Sequence, residues 1–232
     1  LLLATRRRGA KTKWAQRQRL AAAKRRRIER AKVKRNKAVR LMSGSLQASL
    51  TYGALAVGVS DAEWSKLQTA AAAMMTPTAQ GRSKNLTLLI HKDPTWKPAV
   101  APALAWGSEI YDSAAGAERS LDLEFLEKAW AELAKGNPPK KWRWVTNPVD
   151  AARKSLERAG WRSKGATTWI DDLGCEVELT QTPPRLQQRM LRDALARMKE
   201  RKTHSELFQG TSRGQGAEGE CTSDRVCIDH IA

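Results

Sequence analysis

The sequence predicts a mainly α protein: a basic N-terminal helix, a helical body with one small β-hairpin, and a disordered C-terminal tail. Three observations predict it. Lys and Arg crowd one end of the chain, apolar residues between about 44 and 202 recur at helical spacing, and the chain beyond about Thr203 turns polar and Gly-rich. The expected boundaries are 1–43 for the arm, 44–202 for the body and 203–232 for the tail.

The arm is set apart by charge. Residues 1–40 hold 17 Lys/Arg and one acid, Glu29, so +16 of the chain's net +18 lies there. The body and tail are nearly neutral, although the whole sequence has a pI of about 10.3. Residues 14–42 contain no Pro or Gly and are rich in Ala, Arg, Lys and Leu, which favour helix. Ile28, Ala31, Ala38 and Met42 mark a narrow apolar stripe that Arg35 interrupts. Like charges three and four apart repel on a helix. A polyanion relieves that repulsion, so nucleic acid is the expected partner, ahead of a merely solvated helix or a nuclear-import signal. Arg25, Arg26, Arg27, Arg30, Lys34 and Arg35 are the candidate phosphate contacts.

The body is expected to start with a short apolar helix through Leu50, Tyr52, Leu55 and Val57, ended by Gly58. Ser60-Asp61-Ala62-Glu63 is a capping box. Trp64, Leu67, Ala71, Met74 and Met75 form the buried stripe of the helix that follows, and Pro77 stops it. Gly81-Arg82-Ser83-Lys84 lacks the G-x-x-x-x-G-K-[ST] pattern of a phosphate loop, so Ser83 is expected to cap a helix over Leu86–His91. Pro98 and Pro102 delay the next helix to about Ala101–Ser113, with Leu104, Ile110 and Tyr111 inward. Ser120 or Asp122 caps a helix whose Leu123, Leu126, Trp130 and Leu133 share a face, and Gly136-Asn137-Pro138-Pro139 stops it. Asn147 caps another helix with Pro148 at its first position, ending at Gly160. Thr167–Asp171 and Glu176–Thr180 flank Asp172-Leu173-Gly174 as a hairpin. Thr182-Pro183-Pro184 opens a long helix with Leu186, Met190, Leu191, Leu195 and Met198 inward.

Lys140-Lys141-Trp142-Arg143-Trp144 interleaves bases and aromatics. Trp142 and Trp144 are therefore candidates for stacking on a strand whose phosphates pair with the neighbouring bases. In an extended segment the two rings would point the same way, as core residues do.

Catalytic chemistry has little to draw on. Trp169-Ile170-Asp171-Asp172 resembles the aromatic-x-Asp-Asp turn at which polymerases hold two metal ions. No earlier β-rich strand ends in the third carboxylate such a site requires, so an ordinary acidic turn is expected. Cys221, Cys227 and His230 are one ligand short of a zinc site and fit no common spacing. His91 is expected to cap a helix end. The three cysteines cannot make a disulfide framework, and no apolar run approaches the roughly 20 residues of a membrane span. No cofactor, metal or membrane is expected. The chain begins without Met and stops without a terminating feature, so it reads as a fragment.

With those segments in order, a resemblance emerges. Tyr52-Gly53-Ala54-Leu55-Ala56-Val57-Gly58-Val59-Ser60, followed by Leu67, resembles a stretch just after the polymerase core of LINE-like (non-LTR) retroelement reverse transcriptases, where a helical thumb-type region reads roughly Y-G-x-E-x-W-G-(V/T)-S. Gly81-Arg82-Ser83, Asp93-Pro94, Trp142-Arg143-x-Val145-x-x-Pro148, Gly160-Trp161 and Trp169-x-Asp171-Asp172-x-Gly174 follow in the order of one protist-type subgroup. The similarity spans about residues 40–200. Leu55 stands where that family has an acid, Val57 where it has Trp, and Met74-Met75 where it tends to have Leu-Arg.

The resemblance implies a thumb-like bundle that grips the template–primer backbone, RNA or an RNA/DNA hybrid, while an upstream polymerase domain of the parent chain does the chemistry. It also places Asp171-Asp172 downstream of the family's catalytic aspartates, so the chain would lack a catalytic site of its own. The implied location is the nucleus. The alternative is a stand-alone nucleolar or ribosome-associated RNA-binding protein whose arm inserts into folded RNA.

Overall fold

The computed structural model describes residues 54–75, 83–91, 93–137 and 139–211, with side chains placed to residue 205. In the arm it describes Leu20, Ala23, Lys24, Arg26, Arg27, Lys37, Arg40 and Leu41, all helical and exposed. Among the described residues of the body there are eight α-helices and one three-stranded antiparallel sheet. The expected mainly α class is therefore the observed one. The tail beyond Thr211 lies outside the described residues.

Local chemistry sets most helix starts. Helix α1 (Ala54–Val57) ends at Gly58, whose φ of +70° is the left-handed conformation favoured at helix ends. Helix α2 (Asp61–Met75) starts on the capping box: the Glu63 N–H donates to Ser60 Oγ at 3.3 Å, and the Ser60 N–H donates to Glu63 Oε2 at 2.9 Å. Ser83 caps α3 (Lys84–Ile90) by accepting from the Leu86 N–H. A short α4 (Trp96–Ala99) precedes α5 (Ala101–Ala114), because Pro98 and Pro102 both fall in first turns, where the missing N–H has no helical partner to lose. Helix α6 (Leu123–Leu133) buries Leu126 and Trp130. Asn147 caps α7 (Pro148–Arg158) by accepting from the Asp150 N–H at 2.8 Å.

The expected hairpin is present and gains a partner. Strands β2 (Thr168–Ile170) and β3 (Glu176–Glu178) pair with Trp169 opposite Val177, and β1 (Arg162–Ser163) pairs with β2 on its other edge. A two-residue strand has no alternation to read, which is why the sequence suggested two strands. Gly160, at φ +77°, turns the chain back from α7 so that β1 can reach β2. Helix α8 (Pro184–Thr211) runs past the expected boundary near Thr203, since no Pro or Gly interrupts it before Gly210 and Thr203 itself is buried.

Helix α5 is central, packing on α1, α6, α7 and α8. The main core fills the space between it, the sheet and α8 with Ile110, Leu156, Trp161, Trp169, Leu179 and Leu191. A second cluster joins Leu67, Met74 and Met75 of α2 to Leu88 of α3. A third holds Trp130, Val149, Ala152 and Ala166, linked to the rest through Trp106, whose ring lies 4.8 Å from that of Trp130.

Leu186, expected inward, is 46% exposed, and Leu133, expected to share a face with the buried Leu126 and Trp130, is 43% exposed. In the first turn of α8 the buried residue is Gln187, whose side chain donates to the Gly107 and Thr182 carbonyls at 3.1 and 2.8 Å. A Cβ on Gly107 would stand 2.1 Å from Gln187 Oε1, so glycine there leaves room for the buried Gln187 amide in this position. For Leu133, a helical period marks a face but not how far the neighbouring element extends along it.

Candidate nucleic-acid interface

Of the six arm residues singled out, Arg26 and Arg27 are helical and exposed. Arg25, Arg30, Lys34 and Arg35 lie outside the described residues. So do the Cys221, Cys227 and His230 set and the stripe from Ile28 to Met42.

The structure separates the two candidate tryptophans. Residues Trp142–Trp144 form a 3₁₀ turn, not an extended segment, so the two rings diverge. Trp144 is 48% exposed, with the Arg143 guanidinium 5.0 Å and the Lys141 ammonium 5.9 Å from its ring centre. An exposed indole with cations at its face can stack on a base while those cations pair with phosphate. Trp142 is committed elsewhere. Its ring stands where a Cβ on Gly58 would be, its indole N–H donates to Asp61 Oδ1 at 3.2 Å, and Arg158 lies 4.6 Å from its centre.

Arg158 explains that commitment. It closes α7 as a buried cation, donating from Nη1 to the Ala99 carbonyl at 3.0 Å and from Nη2 to the Val59 carbonyl at 2.8 Å. Nη2 also reaches Asp61 Oδ1 at 2.6 Å. Trp64 and Trp142 cover the guanidinium, with ring centres 5.0 and 4.6 Å away. Burial lowers its pKa and the Asp61 carboxylate partly restores it, leaving an arginine that stays protonated. Asp61 is 70% exposed, so the ion pair alone contributes little. The hydrogen bonds to two carbonyls from distant elements tie the α1–α2 turn and the end of α4 to α7.

A second buried cation lies nearby. Lys199 of α8 contacts the Asp93 carboxylate and the Trp64 ring, at 5.5 Å from its centre. Burial, with Lys84 near, pulls this ammonium down to about 7.

Both carboxylates of the acidic turn have structural partners. Asp171 Oδ1 accepts from the Leu173 and Cys175 N–H groups at 2.9 and 2.8 Å, which shapes the β2–β3 turn. The Asp172 side chain is 2% exposed, and Arg197 of α8 grips it with bonds of 2.8 and 2.7 Å. Those bonds hold the Asp172 carboxyl below its usual range. Among the described residues no three His, Cys, Asp or Glu side chains gather as a metal site, and no helix is long and apolar enough to cross a membrane.

Sequence reasoning missed Arg158 and Lys199, because a buried cation on an amphipathic helix has the same local pattern as a solvated one. Comparison with protein-family models, with curated proteins and with solved structures returned no match.

Proposed function

We propose that this chain is the nucleic-acid-binding portion of a LINE-like retroelement reverse transcriptase. In this reading it grips the template–primer backbone of RNA or an RNA/DNA hybrid, in the nucleus, beside an upstream polymerase domain of the parent chain. The observation that carries the reading is the segregation of charge: +16 of +18 in residues 1–40, beside a body that is close to neutral. A domain built only for solubility spreads its charge, whereas a polyanion-binding element concentrates it. The exposed helical placement of Arg26 and Arg27 supports the reading, as does Trp144 with its two flanking cations.

If roughly 6–10 arm bases meet phosphate together, log affinity falls with log salt at a slope of about −5 to −9. The test replaces Arg25, Arg26, Arg27, Arg30, Lys34 and Arg35 with Gln, which keeps helix propensity. The salt slope on an RNA/DNA hybrid should then drop by several units, while Trp142→Ala leaves it unchanged. Unaltered affinity and slope in the six-fold variant would show that the arm is not the binding element.

A further inference from the structure

The structure assigns a second nucleic-acid contact, on α8, that the charge count of the arm does not include. Arg185, Arg189 and Arg192 occur at i, i+4 and i+7, so they share one face of the helix. With Trp96 of α4 and Gln188 they line a shallow groove of about 170 Å³. We infer that this groove takes a short stretch of a single strand, one base against Trp96 and three successive phosphates on the arginines. This rests on the reading of the chain as a nucleic-acid binder and specifies where the body itself takes part.

Three observations support it. The groove is too small and open for an enclosed small-molecule site, which typically needs about 300 Å³ or more. Its size suits the edge of a flexible polymer. The arginines rise about 6 and 10.5 Å along the helix axis from the first to the third, so successive backbone phosphates can be met without bending the strand. Arg185 also sits in the first turn, where α8 has no acidic residue and where the helix dipole disfavours cations. A bound anion would relieve both that and the mutual repulsion of the row.

The internal compensation is small. Asp193 approaches Arg192 at 3.2 Å and Arg189 at 3.9 Å, all three being 43–75% exposed. No ion pair to Arg185 occurs among the described residues. Trp96 is half-buried against the main core, so its ring is held in place for a base rather than freely mobile.

The test uses the full chain and a uridine homopolymer strand. Replacing Arg185, Arg189 and Arg192 together with Gln should leave the circular dichroism unchanged, since all three side chains are exposed. The salt slope should fall by about 2 units, at roughly 0.7 per phosphate released from a single strand. Raising salt from about 50 to 200 mM should then weaken binding roughly 16-fold less than in the unaltered chain. A bromouridine strand should photo-crosslink to the peptide containing Trp96, and the triple variant should lose that crosslink. An unchanged slope in the triple variant, crosslinks confined to residues 1–40, or equal binding of polyglutamate would each overturn the assignment. The six-fold arm variant serves as the control. If it alone keeps its full slope, the arm reading fails while the α8 contact stands.

Discussion

The Arg158 guanidinium lies 4.6 Å from the centre of the Trp142 ring, joining the end of α7 to a turn that the sequence offered as a nucleic-acid contact. That contact makes Trp142 a structural residue and leaves Trp144 as the candidate for stacking.

Arg158→Lys should destabilise the chain although charge is preserved. Lysine cannot reach the Ala99 and Val59 carbonyls together with Asp61, and its ammonium cannot lie flat between Trp64 and Trp142. The expected cost is about 2–3 kcal/mol, from lost bonds to buried carbonyls. Urea unfolding should show a lower midpoint with an unchanged m-value. A midpoint equal to that of the unaltered chain would show that the guanidinium fork is dispensable.

Gly58→Ala should be costly for two separable reasons. The left-handed φ of +70° disfavours any Cβ, and that Cβ would meet the Trp142 ring at 2.2 Å. About 2–4 kcal/mol is expected for the single change, combining both terms. Trp142→Ala removes the clash together with the ring's own contacts to Asp61 and Arg158, so the two changes together should cost at least about 1 kcal/mol less than the sum of each alone. Additive costs in that double-mutant cycle would place the ring elsewhere.

Asp172→Asn should alter the acid limb of stability. The folded carboxyl titrates below the unfolded value of about 3.9, because Arg197 hydrogen-bonds its charged form. The unfolded chain therefore binds more protons in the window just below pH 4. Stability is fully present above that window and is lost as pH falls through the folded value. The Asn variant should be weaker by about 2 kcal/mol at neutral pH and should lose stability less steeply on acidification. Parallel pH profiles for the two chains would remove Asp172 as the titrating group.

Much of the fold was legible because caps and turns are local chemistry. Ser60 with Glu63, Ser83 with Leu86, and Asn147 with Asp150 each act within three residues, so the pattern in the sequence is the pattern in space. The β2–β3 hairpin was legible for the same reason. Strand β1 was not, since its only signal is pairing with Trp169 and Ile170 across the sheet. Gln187 was hidden by Leu186 beside it: hydrophobicity favours burying Leu, but the close approach at Gly107 and two carbonyls in need of donors favour Gln.

The sequence by itself determined where the charge lies, which of the longer segments are helical and where several of them begin. These follow from composition, helix propensity and contacts a few residues long. The short turns at Trp96–Ala99 and Trp142–Trp144 were not legible in it. Only the tertiary structure decided which cations are bound internally and which face water. Arg158 finds its partners 59 to 99 residues away and is buried. Arg185, Arg189 and Arg192, on a helix of similar pattern, meet Trp96 at an open groove. A guanidinium has the same chemistry in either place. Whether distant carbonyls and rings surround it depends on how the elements pack, and that depends on every element at once.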